Sequence, residues 1–286
     1  MPDTAPGSPS RYLLSKFTPK LVEFVRLSNK DWRNLDSKMG RRISTAQKRL
    51  EEGENVWAAE TTVLDLAYLA ERDVVFGTRD AIVEHDFLRF IDGLVSELLG
   101  LIPEVLHPTA RRQLRDLVVN FGLTQSKYRD KVGELVATVH LLRVTDARLL
   151  DFECRLVAGE TSLDVLLGMP SGSAIPVEYL NVHVKDDRLE AEDDIDVFLD
   201  YRIAQKVKAK MGAVVPERGV LPFPLLLVLW FEDVQTLQRY AGRLAGRATG
   251  AELPACVIMQ LRDAEDRVSW EFGSVQAFIT RGLLPA

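Results

Sequence analysis

The chain has 286 residues, enough for one large domain or two ordinary ones, with a formal net charge of −6. Hydrophobic residues make up 47% and charged residues 27%, which is typical of a soluble globular protein. Cys154 and Cys256 lie in separate apolar runs, which argues against a disulfide framework. The histidines have no metal-ligand spacing, and no phosphate-loop, dinucleotide-binding or serine-hydrolase motif is present. These features exclude the usual zinc, nucleotide-binding and serine-hydrolase classes.

No segment of the sequence predicts a membrane span. The longest apolar block, residues 220–231 (VLPFPLLLVLWF), contains two prolines and is too short to cross a bilayer. Residues 1–10 (MPDTAPGSPS) lack an apolar centre, so they predict a flexible tail and not a signal peptide. We therefore expect a cytoplasmic protein without a membrane partner.

Positive charge is concentrated near the N-terminus. Residues 11–49 contain eleven basic and three acidic side chains, a net charge of +8. Such a stretch is either a surface for phosphate groups or a solvated helical face. Trp32 lies among these basic residues, and we expect it to pack in the core rather than stack on a base. The candidate nucleic-acid-binding residues are Lys30, Arg33, Lys38, Arg41, Arg42 and Lys48.

Residues 11–125 predict a helical N-terminal region, because apolar side chains recur there every three or four positions. Asn29 is the predicted cap of the second helix, and Pro108 opens the fifth. The predicted helices, including the one that follows this region, are 18–28, 30–50, 56–75, 81–101, about 108–121 and about 126–142.

The pattern changes near residue 147, where β-rich runs begin. A Pro-Ser-Gly-Ser connection at residues 170–173 predicts a hairpin between the second and third runs. Three further helices are predicted: one ends near Met211, one is capped by Asp233, and a short one ends the chain. Residues 126–286 therefore predict an α/β core with a mixed central sheet flanked by helices. The predicted strands are 149–157, 162–168, 175–184, 225–231, 255–262 and 267–272.

Three carboxylates mark a candidate site. Glu134 lies on the helix before the sheet, Asp164 interrupts the apolar run SLDVLL, and Glu178 interrupts IPVEYLNV fourteen positions later. Carboxylates on adjacent strands, with a third from a neighbouring helix, are typical of hard-cation sites for phosphodiester cleavage. The alternative is structural, since strand alternation can place either strand acid on a solvated face.

In order and spacing, these elements resemble the PD-(D/E)XK, or restriction-endonuclease-like, nuclease superfamily over roughly residues 127–272. The segment SLDVLL occupies the position of the family's PD strand, with Leu163 in place of the proline. The segment VEYLNV occupies the third-strand motif, with Leu180 in place of the lysine. The resemblance implies that Glu134, Asp164 and Glu178 bind Mg²⁺ or Mn²⁺.

Leu180 cannot orient or activate an attacking water as the family's lysine does. Alternation puts Asn181 and His183 on the strand face opposite Glu178, so they reach the site only through a bulge. The resemblance implies instead that a basic residue of the following helix replaces the lysine, and Lys206 is favoured. The basic residues spaced at four on that helix are Arg202, Lys206 and Lys210.

The sequence therefore predicts an Mg²⁺-dependent nuclease acting on nucleic acid, with DNA favoured. Asp164, Glu178 and Lys206 are the predicted catalytic residues, and Glu134 completes the metal ligands. The alternative is a catalytically inactive nuclease-fold protein that serves as a nucleic-acid-binding or protein-assembly module. A homodimer or a larger assembly is compatible with either function.

Overall fold

The structure, a computed structural model, divides the chain into two compact units. The first is Met1–Leu135 with Ala264–Val268, and the second is Val136–Asp263 with Ser269–Ala286. The described part of the first unit is helical, and the second carries a β-sheet, which makes the chain an α/β protein. The described residues are 7–52, 62–76, 81–119, 127–154, 163–181, 226–231, 255–262, 268–273, 277, 280 and 281.

Six of the described helices overlap the predicted ones, and the helix Ala81–Leu101 matches its predicted bounds to the residue. The first described helix, Pro9–Phe17, is not among those predicted. The boundary between the two units falls within the seventh helix. The helices are α1 (Pro9–Phe17), α2 (Pro19–Val25), α3 (Asn29–Glu51), α4 (Val63–Phe76), α5 (Ala81–Leu101), α6 (His107–Val119) and α7 (Lys127–Val144), with a 3₁₀ turn at Glu104–Leu106 before α6.

Helix α1 begins at Pro9, inside the segment 1–10 that the sequence predicts to be a flexible tail. Ser8 is its N-cap, and Asp36 of α3 reinforces the cap from a distance in sequence. One oxygen of Asp36 accepts hydrogen bonds from the Ser8 hydroxyl and from the Ser10 N–H, each at 2.9 Å. A carboxylate at a helix N-terminus satisfies unpaired N–H groups and interacts favourably with the helix dipole. The predicted tail therefore ends as a capped helix.

Helix α2 is only seven residues long, and side chains from other helices cap both of its ends. Asp92 of α5 accepts a hydrogen bond from the Leu21 N–H at 2.9 Å near the N-terminus. Arg111 of α6 donates to the Phe24 carbonyl at 2.8 Å near the C-terminus. Burial of Asp92 raises the pKa of its carboxyl above the usual range, while the hydrogen bond from Leu21 acts in the opposite direction. These contacts stabilise a helix too short to form alone.

The cap of α3 is Ser28, and the prediction of Asn29 is wrong by one residue. Ser28 and Asp31 form a capping box: the Asp31 N–H donates to the Ser28 hydroxyl at 3.2 Å, and the Ser28 N–H donates to Asp31 at 3.1 Å. Arg115 of α6 binds the second oxygen of Asp31 at 2.7 Å. The Ser28 hydroxyl bond, with Arg115 adding to it, lowers the pKa of Asp31 below its usual value.

In the part of the chain that the structure describes, the sheet has six strands in sequence order, and they fall on the six predicted runs. The first three pair antiparallel, whereas the third, fourth and fifth pair parallel, so the sheet is mixed as predicted. The strands are β1 (Arg148–Cys154), β2 (Leu163–Gly168), β3 (Ala174–Asn181), β4 (Leu226–Phe231), β5 (Ala255–Arg262) and β6 (Val268–Gly273).

A tight turn joins β2 to β3, where the Pro-Ser-Gly-Ser connection predicts a hairpin. The Met169 N–H donates to the Ser173 carbonyl at 2.8 Å, and the Gly172 N–H donates to the Met169 carbonyl at 2.9 Å. Gly172 has a φ of 86°, a left-handed conformation that glycine adopts without steric cost. This turn sets the register of the two strands that carry the candidate acids.

The predicted helices near Met211 and after Asp233 lie outside the described residues, as does Lys206. Among the helices that the structure does describe, none is long and apolar enough to cross a membrane.

Candidate functional site

Asp164 and Glu178 lie side by side on the antiparallel strands β2 and β3. The Asp164 N–H donates to Oε2 of Glu178 at 3.3 Å, and Oδ2 of Asp164 accepts from the Tyr179 N–H at 2.8 Å. Each side chain therefore binds the backbone of the strand that carries the other acid. The structure brings these two predicted residues together.

The register of the hairpin explains why the two acids meet. Val165 and Val177 are the last paired residues at the open end, so Asp164 and Glu178 come next, opposite each other. Opposed residues on antiparallel strands place their side chains on one face, with Cβ atoms about 4.5–5.5 Å apart. Beyond the last backbone pair, the two carboxylates accept N–H groups that the ladder no longer satisfies.

Burial removes hydration from these two carboxylates. Glu178 is 1% exposed, and Asp164 is half-buried. Glu178 stands on an internal strand, because β3 pairs with β2 on one side and places Glu178 opposite Leu227 of β4 on the other. A carboxylate in such a position needs hydrogen bonds or a cation to offset its lost hydration. The arrangement therefore favours positive charge near the two acids.

The opposite face of β3 packs against α7. The hydroxyl groups of Tyr179 and Thr138 lie 2.8 Å apart, and both residues are buried. Val165 and Val177, which share the Tyr179 face by alternation, are buried as well. One face of the hairpin is thus a packing surface, and the other carries the acids.

Glu134, the third predicted ligand, lies on α7 within the first unit. Its side chain is 22% exposed, and its carboxylate binds the Lys131 ammonium at 2.6 Å. Over the described ranges, no three side chains of His, Cys, Asp or Glu form a group that could hold a metal ion. The structure therefore brings Asp164 and Glu178 together in the second unit, while Glu134 lies in the first unit.

The position at which the resembled family has its lysine lies on β3, and it is Leu180 in this chain. Leu180 follows Glu178 by two residues and pairs with Leu229 of β4 through the backbone. The predicted replacement, Lys206, lies outside the described residues, as does His183.

The residues predicted to bind nucleic acid lie on α3 in the first unit. Trp32 is 4% exposed, which confirms the prediction that it packs in the core. Lys38 is half-buried, and Lys48 lies 3.9 Å from Glu52 one turn later. The four exposed members of the set are Lys30, Arg33, Arg41 and Lys48.

Arg42 is different from its neighbours because it pairs with a buried acid. Its Nε lies 3.3 Å from Oδ1 of Asp65, whose side chain is fully buried. Asp65 also accepts a hydrogen bond from the Thr62 N–H at 3.1 Å and so caps α4. Arg42 therefore links α3 to the start of α4 through this ion pair, a role that basic composition alone does not reveal.

Sequence patterns missed two contributors to the acid pair. The Tyr179 N–H holds Asp164, and the Thr138 hydroxyl holds Tyr179 against α7. Every residue except proline has a backbone N–H, so composition cannot point to Tyr179. Strand alternation puts Tyr179 on the other face of β3 from Glu178, and this was the available signal for its packing role.

Comparison with known proteins leaves the family open. No protein-family model matches the chain, and no curated protein matches it. Among solved structures, the chain is similar to SfsA from Pyrococcus furiosus in complex with Ca²⁺, at 13% identity and a TM-score of 0.24. The similarity covers 52% of this chain and 62% of that chain, less than two thirds of SfsA. At these values it carries no argument about fold or function.

Proposed function

We propose that the protein is a metal-dependent nuclease that hydrolyses phosphodiester bonds of nucleic acid, with DNA the favoured substrate. The observation that carries this proposal is the meeting of Asp164 and Glu178 on adjacent strands, joined through the backbone at 3.3 Å and 2.8 Å. The proposal includes a restriction-endonuclease-like arrangement of residues 126–286, for which the mixed sheet and the preceding helix α7 are the support.

The chemistry of the donors fits a hard divalent cation. Asp164 and Glu178 provide carboxylate oxygens, which Mg²⁺ and Mn²⁺ prefer. The hydrogen bonds at Oδ2 of Asp164 and Oε2 of Glu178 restrain both carboxylates before any cation arrives. Glu134 is the third ligand that the family resemblance implies.

Asp164 and Glu178 would hold the cation. Lys206 would position the attacking water, in place of the family lysine. A bound Mg²⁺ would lower the pKa of that water and offset negative charge on the phosphate.

Cleavage assays with isosteric variants test the proposal. Wild-type protein is incubated with supercoiled plasmid, single-stranded DNA and single-stranded RNA in Mg²⁺, Mn²⁺ or EDTA. Asp164→Asn and Glu178→Gln remove one charge each and keep a hydrogen-bond acceptor. We expect each to reduce cleavage more than about 100-fold, because losing even an outer-shell partner of a metal ligand costs 10–100-fold.

Asp146→Asn is the matched control for loss of charge. Asp146 is exposed in the second unit with a φ of 50°, which asparagine also adopts readily. This variant should cleave as wild type does, and thermal melts should show that all three variants fold. A wild type that cuts no substrate with either metal, or an Asp164→Asn variant of full activity, would sink the nuclease proposal.

Leu180 favours a second candidate, a catalytically inactive nuclease-fold module for nucleic-acid binding or protein assembly. A leucine in place of the lysine removes the residue that activates water in the family. Lys206→Met separates the two candidates, because an active enzyme that relies on Lys206 should lose cleavage and keep metal binding. An inactive module should bind partners without cleavage, and sedimentation would then report any homodimer or larger assembly.

A further inference from the structure

Helix α3 exposes a face of positive charge opposite its buried face. Lys30, Arg33 and Arg41 are exposed, and their side chains form no ion pair or hydrogen bond with any described residue. At 100° per residue these three side chains fall within an arc of about 80° on the helix surface. The buried residues point the other way: Trp32, Leu35 and Met39.

Two of the three acids of α3 do not neutralise this face, because each has partners within the first unit, and the third, Glu51, is the last residue of the helix. Asp31 binds Ser28 and Arg115, with the Arg115 contact at 2.7 Å. Asp36 caps α1 through Ser8 and Ser10. The positive charge of the face is therefore uncompensated along most of the helix.

We infer that this face of α3 binds the phosphate backbone of duplex nucleic acid, and the inference rests on the proposed nuclease function for its choice of polyanion. Lys30 and Arg41 are eleven residues apart, about 16 Å along a helix that rises 1.5 Å per residue. Duplex DNA carries one charge per about 1.7 Å of its axis, so the face spans several phosphates. The binding surface belongs to the helical first unit.

Neither a membrane nor an acidic protein matches this face as well. The large apolar side chains that are exposed in the described residues are Tyr12, Leu101, Val105 and Val144, and none lies on α3. A helix that binds a bilayer surface inserts apolar side chains, and a protein interface uses aromatic or aliphatic anchors. Charge without such anchors favours a phosphate backbone, which charge alone can bind.

Gly40 lies on α3 beside these basic residues, and its lack of a side chain leaves room for a phosphate backbone to approach the helix closely. A Cβ added at Gly40 would meet no atom within 4 Å, so packing within the protein does not require a glycine there. Gly93 of α5 is equally open and supplies a matched control on another helix. Glutamate forms helices better than glycine, so Gly40→Glu and Gly93→Glu should both fold.

Equilibrium binding to a fluorescein-labelled 30-base-pair DNA duplex tests the inference. The titrations contain EDTA and a series of salt concentrations, so the result does not depend on cleavage. The pair Lys30→Gln/Arg41→Gln is compared with Lys20→Gln/Arg89→Gln, which removes two exposed charges from α2 and α5. We expect the α3 double variant to bind the duplex at least about tenfold more weakly than wild type. The slope of log K against log salt concentration should fall by about 2, because each phosphate contact contributes about 0.9 to that slope.

Gly40→Glu should weaken duplex binding in the same way, and Gly93→Glu should not. The inference is wrong if wild type does not bind the duplex, or if the α2/α5 pair weakens binding as much as the α3 pair. It is also overturned if polyglutamate of equal charge competes as well as DNA, or if phosphatidylserine vesicles bind the protein through Lys30 and Arg41. If wild type shows no Mg²⁺-dependent cleavage, the nuclease proposal is rejected. Loss of duplex binding in the α3 variants would still support this surface.

Discussion

Thr138 of α7 and Tyr179 of β3 are joined by a hydrogen bond of 2.8 Å between their hydroxyl groups. Because successive residues of a strand point to opposite faces, this bond assigns the Tyr179 face of β3 to packing. Glu178 is then on the other face, with Asp164 opposite it on β2. A single strand thus anchors the helix with one residue and carries an acid of the candidate site with the residue before.

The Thr138–Tyr179 bond should contribute measurably to stability. Thr138→Val or Tyr179→Phe alone leaves a buried hydroxyl without this partner, at a cost of about 1–3 kcal/mol in the free energy of unfolding. The double variant should cost less than the sum of the single variants, with a coupling of about 1 kcal/mol. Urea denaturation of all four proteins measures the cycle. Strictly additive effects would mean that the two hydroxyls do not stabilise each other.

Divalent cations should stabilise the wild type through Asp164 and Glu178. A ligand that binds only the folded state adds about 2.7 kcal/mol at a concentration of 100 Kd, so Tm should rise with Mg²⁺ or Mn²⁺. Asp164→Asn and Glu178→Gln should lose most of this rise, whereas Asp146→Asn should keep it. Differential scanning calorimetry in EDTA and in each metal gives the comparison. Equal rises in all four proteins would place any cation elsewhere.

The meeting of Asp164 and Glu178 could be predicted because it depends on local structure. The turn at residues 169–173 fixes the register, and the spacing of fourteen then sets the two acids opposite each other. The α5 bounds were predictable for a similar reason, since apolar periodicity acts within the helix itself. Contacts between segments that are distant in the chain leave no such pattern in the sequence.

The contacts that sequence could not supply are tertiary. Asp36 and Asp92 cap helices that lie 26 and 71 residues earlier in the chain, and nothing local distinguishes them from solvated acids. The capping box of α3 was missed because Asp31 stands where the usual pattern has Glu or Gln. In the sequence, Arg42 resembles the other basic residues of α3. Its ion pair with the buried Asp65 in the structure distinguishes it from them.

The same substitution should therefore affect stability strongly at Arg42 and very little at Arg41. Arg42→Met removes the cation beside Asp65, whose side chain is fully buried, and should destabilise by about 2–3 kcal/mol, below the 3–5 of a fully buried pair. Arg41→Met changes an exposed residue and should stay within about 0.5 kcal/mol of wild type. Chemical denaturation measures both. An Arg42→Met variant as stable as Arg41→Met would show that Asp65 does not depend on Arg42.

Asp31 should stabilise the protein at neutral pH and not in acid. The Ser28 hydroxyl, followed by its backbone N–H and by Arg115, lowers the pKa of Asp31 in the folded state below 3.8. A lowered pKa gives stability that is present above pH 3.8 and is lost as the pH falls through the folded-state value. Asp31→Asn should therefore lower Tm at pH 7, and the difference should shrink in strong acid. A difference that is constant with pH would exclude this charge effect.

Asp92 should show the opposite dependence on pH. Burial raises its pKa above 3.8, so the folded state binds a proton more tightly than the unfolded state. Its favourable contribution is present below pH 3.8 and is lost as the pH rises through the folded-state pKa. Asp92→Asn keeps an acceptor for the Leu21 N–H and removes the buried charge, so it should raise Tm at pH 7. The gain should shrink toward pH 4, whereas a lower Tm at pH 7 would mean that the charge at the start of α2 outweighs the cost of its burial.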